Sequence, residues 1–320
     1  MPSYSGVWTL PAQMQAIAQS LWPVPPVTAL FAGGIDNSGR VNTIVSFSIF
    51  NSGTFSTFGQ LTVARNGLGS CASTTRSVWG GGYNSPSYKT TMDYVEFATA
   101  GNATSFGSLS VATTGLGGCN STTRGIFAGG ANAGNVSAIY YITIASTGNT
   151  SAFGNLTTAD SSSMSSGICS SQTRGVFGPR YSGGPANTID YITIASTGNA
   201  TSFGQATVAR YVVASASNAT RGVFAGGVPA SGISNVIDYI TIASTGNATS
   251  FGTLTAGYKS ASGCANATYA VFCGGEDSIG YVNAMSYITI ASTGNAASYG
   301  QLSAVQSAGG ATCAANGGVQ

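Results

Sequence analysis

Few side chains in this chain can do chemistry. Eight carboxylates and ten cations serve 320 residues, and there is no histidine. General acid–base catalysis needs two groups whose environments pull their pKa values apart. Asp36, Asp160, Glu276 and Asp277 have no partner base in view. Without His or a Cys-X-X-Cys pair there is no zinc-type ligand set. The six cysteines also argue against redox or metal chemistry. Cys71, Cys119, Cys169, Cys264 and Cys313 recur once per repeat of the sequence, and Ala216 takes the place in the remaining copy. A residue that alternates with Ala is read as a small buried apolar group, so free structural thiols are expected rather than disulfides. No catalytic residue, cofactor or metal is expected, and the chain reads as a non-enzyme.

The remaining charges follow the same repeat. Arg76, Arg124, Arg174 and Arg221 open one strand of successive copies, and Asp93, Asp190 and Asp238 open the next. Copies with Thr28 or Tyr269 in place of the arginine carry Ser46 or Ser286 in place of the aspartate. This suggests structural Arg–Asp pairs that bridge neighbouring units. The repeat itself is marked by an apolar strand ending in glycines, as in Leu30-Phe31-Ala32-Gly33-Gly34 and Val223-Phe224-Ala225-Gly226-Gly227. Its aromatic residues, Phe31, Trp79, Phe127, Phe177, Phe224 and Phe272, lie 48, 48, 50, 47 and 48 positions apart. A second marker, an aromatic residue followed by glycine, runs in step at Phe58, Phe106, Phe153, Phe203, Phe251 and Tyr299. Six copies at this period indicate a propeller or a solenoid, and a β-helix coil needs only about half the length.

One copy, 210–257, shows four strands by alternation and turn residues. Strand A, Arg210 to Asn218, is built of small residues, as the crowded axis of a propeller requires. Strand B, Arg221 to Gly227, ends in the glycine pair. Strand C is Val236 to Ala243, and strand D, Ala248 to Thr255, carries Phe251. Asn-X-Ser/Thr at Asn102, Asn149, Asn199 and Asn247 falls in the C–D connection of four copies, where it is read as turn chemistry rather than glycosylation. The last copy ends in a strand A, Val305 to Ala315, while the first begins with a strand B, Val27 to Gly34. Pairing these two closes the ring and removes the sheet edge at the seam. The expected fold is therefore all-β: a six-bladed propeller over 27–320, with a short N-terminal helical arm over 1–26.

The run Leu61-Thr62-Val63-Ala64-Arg65, a small-residue strand, and Val78-Trp79-Gly80-Gly81 resemble kelch-type propellers. The spacing from the strand C tyrosine to the next aromatic residue is twelve, as from Tyr239 to Phe251, longer than a kelch repeat usually has, so the resemblance is kelch-like. The wording Asp-Tyr-Ile-Thr-Ile-Ala-Ser-Thr-Gly-Asn-Ala-Thr-Ser-Phe-Gly at 190–204 and 238–252 is similar to repeats in structural proteins of tailed marine phages. The opening Gly6-Val7-Trp8-Thr9-Leu10 and Trp22-Pro23 resemble the start of phage tail-fibre proteins. The resemblance implies a virion component, assembled in the host cytoplasm as part of a multimeric particle. Its partners would be other virion proteins and a host glycan or receptor. A stand-alone lectin-like propeller is the alternative. Sialidase chemistry lacks its residues, since Glu occurs only at Glu96 and Glu276, and a copper site of galactose-oxidase type would need His.

Two regions are the candidates for interaction. In the arm, Thr9 can cap a helix with Pro11 in its first turn, and Leu10, Met14, Ile17 and Leu21 form an apolar stripe. With Trp8 and Trp22 this stripe is expected to dock on another virion subunit, the alternative being a helix folded back over one opening of the ring. The B–C loops are the second candidate, because they differ between copies while the other turns do not. They supply Asp36, Asn37 and Arg40; Tyr83, Asn84, Tyr88 and Lys89; Arg180 and Tyr181; and Glu276, Asp277 and Tyr281. Tyr, Asn and Asp suit stacking on sugars and hydrogen-bonding to them. Neutral drift on a solvent face is the bland alternative. Charged residues make up only 6% of the chain, the net charge is +2, and the cations are scattered singly, which offers nothing to nucleic acid. No apolar run approaches the ~18 residues of a membrane span, so no membrane insertion is expected. Met1 to Ala12 lacks the basic start and apolar core of a secretory leader.

Overall fold

The computed structural model describes residues 28–49, 55–160 and 167–314. They form a six-bladed β-propeller of six four-stranded antiparallel sheets. Blade 1 runs from the axis outward as Gly310–Cys313, Thr28–Ala32, Thr43–Ser48 and Phe55–Gln60. Blades 2 to 6 occupy 69–108, 117–160, 168–205, 214–253 and 262–301, each in simple A–B–C–D order. The seam closes as the sequence suggests, with Leu30 opposite Thr312 and Ala32 opposite Gly310. The pairing strands are shorter than expected. Val305 to Gly309 belong to the crossover, because Ala308 turns to a φ of 53° and an extended strand cannot pass through that conformation. The N-terminal helical arm lies outside the described residues, among which there is no helix.

Local sequence explains the blade. Strand C is rich in β-branched and aromatic residues, as in Val-Ile-Asp-Tyr-Ile-Thr at Val236–Thr241. One row runs straight across each sheet: Ala216, Val223, Tyr239 and Thr249 in blade 5, and Cys71, Val78, Tyr94 and Thr104 in blade 2. The register then slips once between strands C and D, between Ile237 and Asp238 in blade 5. The slip leaves the aromatic residue of the aromatic–glycine marker, such as Phe251, as the extra residue of a β-bulge. That residue is buried in the apolar layer between its own blade and the next. Six such layers account for the core, one at each interface. Phe106, Met92 and Leu109 of blade 2, for example, pack with Phe127, Ile142 and Ile144 of blade 3.

Neighbouring blades are also joined through the backbone. Near the axis, crossover residues at the repeat position of Gly67 donate their N–H to the same position one blade back. The described links are Gly67 to Ala308, Gly115 to Gly67, Ser260 to Val212 and Ala308 to Ser260, at 2.7, 2.8, 3.1 and 2.9 Å. All five residues have positive φ, which is why two are glycine. The edge of strand A is satisfied by hydroxyls and amides from the next blade. Ala72 N–H donates to Asn120 Oδ1 at 2.9 Å, and Ser170 N–H to Ser217 Oγ at 3.0 Å. The small residues of strand A therefore do more than fit the axis: they saturate its edge. A cavity of about 100 Å³ remains on the axis, lined by the inner strands and free of Asp, Glu, Lys and Arg.

At the rim, glycine permits the closest approach. A Cβ on Gly59, Gly107, Gly154, Gly204 or Gly252 would stand between 1.9 and 2.2 Å from the carbonyl oxygen of a glycine in the next blade's C–D connection. That connection reaches back. Gly148, Gly198, Gly246 and Gly294 donate N–H to the carbonyls of Phe106, Phe153, Phe203 and Phe251 at 2.8–2.9 Å. Beside them, Asn102, Asn149, Asn199, Asn247 and Asn295 accept the strand D N–H groups of Gln60, Ser108, Asn155, Gln205 and Thr253 at 3.0–3.1 Å. The repeated Asn is thus an inter-blade clamp. None of these residues takes a positive φ, so its role differs from the turn chemistry read from sequence.

None of the six cysteines is in a disulfide, and all six are buried. Burial pushes the Cys119 thiol up to about 12 and those of Cys71 and Cys169 higher still, which suppresses the reactive thiolate. The Sγ atoms of Cys71, Cys119 and Cys169 face Gly125, Gly175 and Gly222 of the next blade. Where Ala216 replaces the cysteine, the facing residue is Ala270, and both lie in one apolar layer. The pairs exchange volume across the interface. A Cβ at Gly222 would lie 2.3 Å from Cys169 Sγ. Gly222→Ala is expected to cost about 1–3 kcal/mol by overpacking, and adding Cys169→Ala should restore most of the loss. Chemical denaturation of both single variants and the double variant checks this; a double variant no more stable than the sum of the singles contradicts the volume exchange.

Candidate functional site: the loop face

The strand-opening arginines do not meet the strand C aspartates. Arg76, Arg124, Arg174 and Arg221 lie over Tyr94, Tyr141, Tyr191 and Tyr239 of their own blades, with Cζ 4.2–4.4 Å from each ring centroid. Each donates an Nη1 proton to a backbone carbonyl of the next blade, at Ile144, Ile194, Ile242 and Ile290. Arg76 is also paired with Glu96. A planar guanidinium suits this sandwich of ring and carbonyl. The scaffold role expected from sequence holds, with different partners.

The aspartates are buried under the opposite end of the ring. Asp93 receives Arg65 at 2.8 Å, and Asp238 receives Arg210 at 2.9 Å. Both arginines come from the crossover leading into the blade, and all four side chains are fully buried. Thr62 adds its hydroxyl to Asp93 at 2.7 Å, and Thr207 does the same for Asp238. Burial pulls the guanidiniums of Arg65 and Arg210 below the usual arginine range, and the facing carboxylates oppose the shift. In blade 4 the crossover carries Asp160 at this place, and the cation comes from the B–C loop instead. Arg180 turns inward to Asp190 and to the hydroxyls of Thr157 and Thr158. Its side chain is 2% exposed, so the loop does not present it to a ligand. Where the aspartate is missing, so is the arginine: Ser286 bonds to Thr255 at 2.8 Å, with Tyr258 at the crossover place.

The other candidate loop residues lie at this end, where B–C loops and crossovers meet. Bridges tie Ile35 to Ser307, Tyr83 to Asn66, Tyr211 to Val228 and Glu276 to Lys259. In blade 1, Asp36 Oδ1 accepts from Ser38 N, Ser38 Oγ and Gly39 N, and these bonds hold its carboxyl below the usual range. Asn37 is at the tip of the same hairpin, and Arg40 is at its base. Arg40 Nε donates to Asn66 Oδ1 at 3.1 Å, and its Cζ lies 4.6 Å from the Tyr83 ring centroid of blade 2. The Tyr83 and Tyr88 rings are 5.3 Å apart on a second hairpin, Tyr83–Asn84 against Ser87–Tyr88. Lys89 Nζ donates to Ser87 Oγ.

On blade 4, Tyr181 packs edge-on against Tyr211. On blade 6, Glu276 is paired with Lys259 at 2.8 Å and Tyr281 bridges back to Glu276. Asp277 caps its own loop through Ile279 N and Gly280 N, which holds its carboxyl below the usual range. Ile279 is 95% exposed. Blades 6, 1 and 2 are consecutive, so the structure brings their candidate residues to one side of the ring and leaves Tyr181 on another.

Sequence reading missed the crossover residues of this face, Asn66, Tyr211 and Lys259, and the buried Arg65 and Arg210. A signal for the arginines existed: Arg at the crossover co-occurs with Asp on the strand C that follows. Among the described residues no three His, Cys, Asp or Glu side chains gather as a metal set. No family model matches the chain, and no curated protein matches it. Strand Thr28–Ala32 starts at the end of the ring that carries the A–B turns, and Ala314 N–H bonds to Thr28 O at that end. Thr28, the first described residue, therefore lies at the end opposite the loop face.

Arg210→Met strands the buried Asp238 carboxylate and is expected to cost about 3–5 kcal/mol. Arg210→Met with Asp238→Ser imitates the blade 6 arrangement and should be more stable than Arg210→Met alone. Denaturation midpoints decide it, and a double variant weaker than the single contradicts the pairing.

Proposed function

We propose that the chain is a structural protein of a tailed-phage virion. It is a kelch-like propeller that attaches to the particle through its N-terminal arm and presents the loop face as a binding surface, without catalysis. The carrying observation is polarity: Thr28, the first described residue, lies at one end of the ring, and the loops that vary between blades lie at the other. A module with this polarity can be held by the particle and still leave its variable face free. The repeat wording at 190–204 and 238–252 supports the virion setting, and the placement of the repeated ionisable groups in blade contacts supports a scaffold. The partners are other virion proteins at the arm end and a host-surface group at the loop end, in a multimeric assembly. The arm stripe argues for docking, because three apolar side chains of this size gain about 1.5–3 kcal/mol each on burial, while an isolated helix of this length is marginal.

Deleting residues 1–22 tests the reading. Thermal stability of the propeller should stay the same while incorporation into particles is lost. A fall of many degrees would assign the arm to its own propeller, and normal incorporation would favour a stand-alone lectin-like module.

A further inference from the structure

We infer that the loop face of blades 1 and 2 binds an anionic sugar residue, whose ring lies against Tyr88 and Tyr83 and whose carboxylate or sulfate meets Arg40, the cation held at the Tyr83 ring. This deepens the reading of the loop face as the binding surface and rests on it.

The inference comes from comparing the aromatic groups of that face. Tyr181 and Tyr211 pack edge-on, and the arginine of that loop, Arg180, is buried on Asp190. On blade 6, the Lys259 charge is neutralised by Glu276. Blades 1 and 2 differ. Neither Arg40 nor Lys89 is within ion-pair distance of a carboxylate among the described residues. The single carboxylate of these two loops, Asp36, has one oxygen held by three donors of its own turn. Cations that keep their charge at a rim, with no internal partner, complement an anion.

The patch is also held in place before any ligand arrives. Arg40 is fixed across the blade boundary by Asn66 Oδ1 at 3.1 Å and by the Tyr83 ring at 4.6 Å. Tyr83 is locked to the crossover by hydrogen bonds in both directions with Asn66, at 2.8 and 3.1 Å. Tyr88 is tilted at 53° to Tyr83 and is 37% exposed, so one ring supports the other and leaves a face to solvent. Pre-placed side chains lose little freedom on binding. A partly exposed tyrosine gives an apolar face for the C–H side of a sugar and a hydroxyl at its edge. An acidic peptide would satisfy the cations but makes no particular use of the tyrosine faces, so the sugar is favoured.

The test is binding of the full chain to an array of uronate-, sialate- and sulfate-bearing oligosaccharides, with neutral oligosaccharides and poly-glutamate alongside. Binding to an acidic class is expected. It should weaken about tenfold in Tyr88→Ala, and Arg40→Gln should weaken it and flatten its salt dependence. Ile279→Ala on blade 6 should leave it unchanged. Equal binding of neutral sugars, with no effect of Arg40→Gln, overturns the anion. Poly-glutamate binding that Tyr88→Ala does not alter overturns the sugar in favour of a protein partner. Absence of binding to every acidic glycan overturns the inference as a whole. Incorporation of the same variants into particles reads the virion proposal separately, so one can fail while the other stands.

Discussion

A four-stranded blade has two unpaired edges, and in this chain both are closed by neighbouring blades. At the rim, the peptide groups of strand D bond to the next blade's C–D connection, and the approach is so close that only glycine fits where Gly107, Gly154 and Gly204 lie. At the axis, crossover amides link head to tail from Gly115 through Gly67 and Ala308 to Ser260 and Val212. The apolar layers lie between these two lines of hydrogen bonds. The need to satisfy every edge peptide, more than hydrophobic burial, accounts for the repeated wording of the sequence. Among the described residues, the aromatic–glycine markers from Phe58-Gly59 to Phe251-Gly252 and the connection residues Asn102, Asn149, Asn199, Asn247 and Asn295 are each half of a contact whose other half is one blade away.

This constraint separates scaffold from surface. The A–B turns and C–D connections must match their neighbours, and they are nearly invariant. The B–C loops meet the adjoining crossovers through single bridges such as Tyr83 with Asn66, and they vary in length and chemistry. Charge divides in the same way. Arg124, Arg174 and Arg221 are used between ring and carbonyl, and Arg65, Arg180 and Arg210 are used inside the wall. Arg40 and Lys89 are left to face outward.

Closure, blade number and the buried cysteines were legible in the sequence because period and residue size carry them directly. The arginine partners were not. Arg76 and Asp93 lie close to the same repeat unit in sequence, yet they sit at opposite ends of the blade, and Asp93 is reached by a crossover residue from the preceding copy. Arg180 reads as a ligand-facing residue because nothing local shows that the place usual for the buried arginine is occupied by Asp160. Strand A was read too long because the turn to positive φ at Val212, Ser260 and Ala308 is made by residues with no sequence signature for it. Such errors share one origin: contacts between copies decide them, and a pattern within one copy does not.

Native-state amide exchange tests the central claim most directly, that the blades are bonded into one ring by their own backbone. The account predicts that the amides of Gly148, Gly198, Gly246 and Gly294 at the rim, and of Gly67, Gly115, Ser260 and Ala308 at the axis, exchange slowly and only through global unfolding, with one shared dependence on denaturant. Rim amides that exchange at the rate of free loops, or blades that open one by one with separate dependences, would contradict it.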